Sequence, residues 1–302
     1  MNDRDILSRI THAIFLMCSV ATAFIAIFFV GFVFYTAYPV FAKEGLGFIT
    51  GSVWDYSNNI YGIHIFIAGT LILTIVTLIL ALPVSIFTAI FLAEFAHPRV
   101  ASIVRPLVEL LVGIPSVVYG IFGLFVLQNI FRDHVNPFID STLGFIPIFA
   151  NTSPTSATGV LLASVVLAIM ILPTIVALSE DAIRSVPQEY RHASFAMGAT
   201  HWETVRKVVI PAASGGIMGS VILGTMRAMG ETMAIVMLMG NAQKIPTSIL
   251  DTGYAMTSKI LNEIGYYVAV DEARSALFGI AAVLFAIEIV FVALARQIGG
   301  RA

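Results

Sequence analysis

Charge is what this sequence has least of. Of its 302 residues only 11% are Asp, Glu, Lys or Arg, against 58% hydrophobic. Soluble domains carry about 25% charged residues. With a mean hydropathy of +0.94, the chain must hide most of its surface in lipid, and the run lengths below exclude a soluble protein with a large core. Cysteine is nearly missing: Cys18 stands alone inside an apolar run. No internal disulfide can form, and Cys18 reads as a small packing residue. The six histidines are scattered and no Cys/His pair has ligand spacing, so no metal site is expected. No G-x-x-x-x-G-K-[ST] phosphate loop occurs, nor any Gly-Lys dipeptide, so the chain does not bind ATP that way. G-x-S-x-G and H-E-x-x-H are absent too. The net charge of −2 says little about partners, and nothing points to nucleic acid.

Long apolar runs are present. Six are long enough for the roughly 20 residues that cross a bilayer, at about 13–38, 63–93, 106–131, 157–178, 212–239 and 275–295. The first is too long for a signal-peptide core and lacks an A-x-A-like site, so it is read as a retained helix. Pro83 is the expected bend of the second. With six spans, Arg4, Arg9, Arg99, Arg105, Arg184, Arg191, Arg206, Lys207, Arg296 and Arg301 fall on one side. Lys43, Arg132, Lys244, Lys259 and Arg274 fall on the other. The positive-inside rule then places both termini in the cytoplasm. No repeat or linker divides the chain, so one transmembrane domain is expected.

Within span two, Thr70, Thr74 and Thr77 form one helical stripe. It suits close helix packing or, alternatively, a pore lining. Span five contains TMRAMGETMAIVMLMG (225–240), with Arg227 and Glu231 near its middle. A charge at helix centre costs about 2.5–3.5 kcal/mol on insertion scales and usually faces a bundle interior or wet cavity. Spacing of four puts the two charges on one helix face. Two readings follow: a structural intrahelical pair, or the lining of an anion path in which a guanidinium fork grips the substrate and Glu231 competes for Arg227. Glu109 reads as interfacial, and Glu288 as a deeper acid that pairs across helices or with water.

Between spans four and five lies a polar, patterned segment, 179–213. Pro187 can open a helix, and Tyr190, Ala193, Ser194 and Met197 recur at helical spacing. Gly198 breaks the run, Trp202, Val205 and Val208/Val209 resume it, and Pro211 marks the entry to span five. Two short amphipathic helices are expected over 187–210, lying either on lipid or against another protein.

His192-Ala193-Ser194-x-x-x-Gly198, followed by Ile210-Pro211, resembles the EAA loop of ABC-importer permeases. His192 stands where that family's Glu usually is, Ser194 replaces the second Ala, and Ile210 replaces Leu. IPSVVYG (114–120), LALPVSIFTAIFLAEF (80–95), ILPTIVALSEDAIRSVP (171–187) and MRAMGETMAIVMLMGN (226–241) are similar to blocks of the phosphate-specific (Pst) branch. Met233-Ala234-Ile235-Val236 is closer to its PstC-type subunits. The resemblance runs from about 69 to 241. It implies an all-α membrane protein with the type I (MetI-like) permease fold, and a non-enzymatic subunit of an ATP-driven phosphate importer in a prokaryotic inner membrane. It also implies partners: a PstA-type permease, two ATPase subunits that hold the ATP, and an extracytoplasmic phosphate-binding protein. The 187–210 helices would dock on the ATPase. Sulfate or molybdate would suit the same arginine. A self-contained secondary anion transporter would not need the docking segment and often shows internal repeats. An intramembrane enzyme would need a nucleophile or metal cluster that the sequence lacks.

Overall fold

The computed structural model describes residues 3–150 and 158–299. Two compact units divide the chain, one of residues 1–63 with 264–283 and the other of 64–263 with 284–302. Five helices among the described residues are long and apolar enough to cross a membrane, six if one bent pair counts as a span. The protein is an all-α, multi-pass membrane protein.

In the first unit, helix α1 (Asp3–Glu44) contains the expected 13–38 span and outruns it at both ends. The most apolar window of Thr11–Glu44 is 0% buried by the protein, so its Phe and Ile side chains need lipid. Phe24, Phe28 and Phe32 stack at four-residue intervals, with ring centroids 6.4 Å apart. Phe32 meets Phe278 edge-on, and Val33 and Ala37 pack on Ala282. A short antiparallel hairpin pairs β1 (Trp54–Asp55) with β2 (Ile60–Tyr61).

In the second unit, α2 (His64–Ile90) is one helix that contains Pro83, the expected bend. A wide π turn at Phe91–Phe95 follows it. Thr70, Thr74 and Thr77 are buried. Thr70 Oγ1 donates to the Phe66 carbonyl (2.9 Å) and accepts from the Met256 amide (2.9 Å), so the stripe serves packing here.

The expected 106–131 span does not form as one helix. Helix α3 (Pro98–Val112) ends, Gly113 to Pro115 intervene, and α4 (Ser116–Phe122) leads a helical run to Leu143. The two parts meet at 94°. Pro115 has no N–H to give and pushes Ile114 out of helical backbone, which is why the helix stops there.

Helix α5 (Val160–Arg184) is the central strut, with 72% of its apolar window buried. It covers the expected 157–178 span from Val160 onward and runs past its end to Arg184, while residue 157 lies outside the described residues. It packs between α2 and α7 (Ile210–Gly230). Small residues set the α5–α7 approach. Gly216, Ser220 and Gly224 lie four apart on α7, and Ser220 meets Ser179 hydroxyl to hydroxyl at 2.6 Å. A Cβ at Gly216 would sit 2.4 Å from the Ala182 Cβ. Close approach of this kind is how helices associate in lipid, where burial supplies no drive.

Helix α6 (Gln188–Ala196) precedes α7 in the chain. The second short helix expected before residue 210 is not separate. His201–Thr204 and a π turn at Val205–Val209 run straight into α7, giving one helical stretch from His201 to Gly230. The expected 212–239 span is in turn broken: α7 stops at Gly230 and α8 spans Met233–Leu238. The 240–274 loop holds a helix of its own, α9 (Met256–Tyr267), and α10 (Asp271–Gly299) contains the expected 275–295 span.

Candidate translocation site and coupling segment

Arg227 lies in the last turn of α7 and is half-buried. Its Nη1 donates to Thr174 Oγ1 on α5 at 3.1 Å. Tyr119, on α4, lies within its electrostatic reach. Glu231 has left the helix, with extended backbone at φ −65°, ψ 135°. Its carboxylate accepts from the Ala234 amide at 3.2 Å and so caps the start of α8. Its carbonyl accepts from the Thr257 hydroxyl at 2.8 Å. The intrahelical Arg227–Glu231 pair expected from the spacing is therefore not formed. The spacing of four is real, but the helix it assumed ends between the two residues. Each charge instead sits at the helix end whose dipole favours it, the cation at a C-terminus and the anion at an N-terminus.

A second acid approaches this break. Glu288 Oε1 on α10 lies 4.0 Å from where a side chain at Gly230 would begin. Glu109 is exposed on α3, away from any ion pair among the described residues. Helix α4 packs on α8. A Cβ at Gly120 would come within 2.8 Å of Met237 Sδ, so the glycine of IPSVVYG is what lets the two short helices touch. Tyr119 Oη donates to the Leu111 carbonyl at 2.9 Å, bracing the 94° bend. The IPSVVYG stretch and the short helix that follows RAMGET, distant in sequence, thus meet, each beside a helix break.

The 187–211 stretch, the candidate coupling segment, is a second candidate site. Pro187 caps α6. Tyr190, His192 and Ala193 are exposed on it, as are Phe195 and Met197, whereas Ser194 is half-buried and shares a 2.8 Å hydroxyl contact with Thr204. Gly198 turns the chain at φ +82°, a left-handed conformation that a side chain would strain. Thr200 and Glu203 then form a reciprocal capping box that starts the next helix. Ile210 is half-buried and Pro211 is exposed at the first turn of α7.

Beneath this surface the sequence reading missed two acids and their arginines. Glu94, in the π turn that follows α2, accepts from Arg191 of α6. Glu180 of α5 accepts from Arg105 at 2.5 Å and lies 3.5 Å from Arg184. Arg191 neighbours the His192 that the EAA resemblance singled out, and that adjacency was the available signal. In the 240–274 segment, Lys259 is fully buried, paired with Glu263 and lying over the rings of Phe66 (5.0 Å) and Tyr254 (5.5 Å). A lone Lys in a polar loop gave no hint of it.

A bent third span, a broken fifth span that carries charge at its break and a patterned segment between spans four and five are features that a membrane permease would have. Residues 81–301 match the family described as binding-protein-dependent transport system inner membrane component, and the chain belongs to that family. Its relatives narrow the branch to the PstC-type permeases. The phosphate transport system permease protein PstC of Mesorhizobium japonicum is 36% identical over 295 residues, 95% of this chain and 89% of the relative. PstC of Haemophilus influenzae is 37% identical over 257 residues, covering 84% and 81%. Among solved structures, a bacterial ABC transporter involved in the import of the acidic polysaccharide alginate overlays with a TM-score of 0.57. It is 17% identical and covers 98% of this chain and 99% of its own, a likeness of fold alone.

Proposed function

We propose that this chain is a membrane-spanning permease subunit of an ATP-driven importer of inorganic phosphate. It would form the path with a second, PstA-type permease, receive phosphate from an extracytoplasmic binding protein and take its energy from two ATPase subunits, the ATP being held there. Arg227 carries the reading. It is a half-buried guanidinium at a helix break, with one hydrogen bond to Thr174 and no ion-pair partner among the described residues. A guanidinium never loses its charge and presents a planar fork that matches phosphate oxygens. Glu231 is four residues away, and its carboxylate is held through one oxygen, to the Ala234 amide. In the proposed cycle, phosphate and Glu231 alternate as partners of Arg227 while access alternates across the membrane, so release follows capture. The 187–210 segment docks on the ATPase, and both termini are cytoplasmic.

The deciding experiment is uptake of radiolabelled phosphate into vesicles containing this chain, the partner permease, the ATPase and the binding protein. Uptake that requires ATP and this chain, and that sulfate and molybdate leave intact, is the expected result. Uptake of sulfate or molybdate in its place would reassign the substrate.

A further inference from the structure

Helix α6 is attached to the rest of its unit in an unusual way. Its large apolar side chains, Tyr190 and Phe195, point outward with 53% and 42% exposure. The apolar core beneath the segment is built by Ala89, Ile90, Ile183, Val186, Val205, Val209 and Ala213, and α6 contributes none of it. Among the described residues, Arg191 is the one α6 side chain that hydrogen-bonds outside the 187–210 segment. It is buried, at 7% exposure. Nε and Nη2 both donate to Glu94 Oε1, at 3.2 and 2.6 Å. Nη1 donates to the Val186 carbonyl at 2.6 Å, and Nη2 also donates to the Ile183 carbonyl at 3.0 Å. One guanidinium therefore grips the turn after α2 and the C-terminal end of α5 together. The other Glu94 oxygen faces His201 Nε2 at 3.7 Å, at the start of the helical run into α7.

We propose that Arg191 is the positioning residue that carries displacement of the docking helix α6 into spans two and four. The proposal rests on the reading of 187–210 as the ATPase-docking segment. A link that transmits both push and pull must be stiff and bonded on several sides. A planar guanidinium with fixed donors meets that need, while a lysine ammonium is a point charge on a flexible stem. The Arg105–Glu180–Arg184 cluster nearby ties α3 to α5 but makes no bond to α6, so it holds the spans without conveying the movement.

The test uses the full complex in vesicles and reads phosphate moved per ATP hydrolysed, together with ATPase co-purification and thermal stability. Three variants are compared: Arg191→Lys, Arg191→Met, and Arg191→Met combined with Glu94→Leu. The double variant removes the buried charge as well as its partner, and such replacements commonly recover stability. Expected is an ATPase-bound, thermally stable double variant whose transport per ATP falls about tenfold, with Arg191→Lys falling similarly. A bound, stable double variant with the wild-type ratio would overturn the positioning role and leave the docking assignment standing. If the unmodified chain does not bind the ATPase, the docking assignment fails and this role fails with it.

Discussion

Arg227 and Glu231 are four residues apart and are not partners. Arg227 donates to Thr174, Glu231 accepts from the Ala234 amide, and the helix ends between them. The broken helix stabilises each charge at its own terminus. That leaves the guanidinium with most of its donors free for a ligand, which a closed intrahelical pair would not. Discontinuous helices serve transporters in the same way, by bringing helix ends and loosened backbone to a binding site.

The two charges can be separated by substitution. Glu231→Gln keeps a side-chain oxygen for the Ala234 amide and deletes the charge, so stability should change by only about 0.5–1 kcal/mol. If Glu231 competes with phosphate, uptake by this variant should slow at release, and phosphate should dissociate more slowly from the complex. Arg227→Gln should lower uptake about 100-fold or more, the scale for deleting a fixed donor to an anion. Normal uptake by an assembled Arg227→Gln complex would remove Arg227 from the path.

Helix packing between α5 and α7 predicts two glycine substitutions of unequal severity. At Gly216 a new methyl meets the Ala182 Cβ at 2.4 Å, which can move only with the helix. At Gly224 it meets Ile175 Cγ1 and Cδ1 at 2.6 Å, the far part of a side chain with other rotamers. Gly216→Ala should therefore destabilise more, toward the upper part of the roughly 1–3 kcal/mol range for overpacking, and Gly224→Ala less. Thermal unfolding in detergent ranks them, and a reversed order would refute the packing argument.

Much of this architecture was legible beforehand because lipid makes the pattern simple. Run length places the helices, and Gly198, which breaks the 187–210 pattern, sits where the chain turns at positive φ. What failed was continuity. Run length alone carries span three through Pro115, although that proline, with Gly113 before it, is the signal of a break. In span five the break after Gly230 has no proline to announce it. It depends on tertiary partners such as Thr257, whose hydroxyl holds the Glu231 carbonyl. In the sequence, Arg191 and Lys259 read only as charges on one side of the membrane or the other. Their burial follows from what lies opposite, Glu94 and Glu263, and a count along the chain contains no such information.

Lys259 gives a pH signature. Burial pushes its ammonium below the ordinary lysine value, an effect only partly offset by Glu263. The folded state then releases its proton before the unfolded state does. Stability should rise with pH between the lowered value and the ordinary one, because the unfolded chain binds more protons in that window. Unfolding temperatures across alkaline pH measure the slope, which should shrink in Lys259→Met. That variant removes the ion-pair partner of Glu263, and breaking a buried pair should cost about 3–5 kcal/mol near neutral pH, while Lys259→Met with Glu263→Leu should recover much of the loss. A single variant as stable as the parent would mean that the buried pair contributes nothing.

The outward face of α6 yields a prediction in which stability and docking part company. Met197 is 88% exposed, Tyr190 53% and Trp202 49%, so trimming them removes little contact within the chain. Surface substitutions of this kind usually change stability by no more than about 0.5 kcal/mol. If these side chains fill a cleft on the ATPase, Tyr190→Ala and Met197→Ala should unfold at the parent temperature yet co-purify with less ATPase. If they rest on lipid instead, ATPase recovery should stay at the parent level, and the variants should lose affinity for lipid vesicles when 187–210 is presented as a peptide. The peptide comparison is direct because an apolar face gains membrane affinity from its own buried area, whereas binding to a shaped cleft depends on a few anchoring side chains.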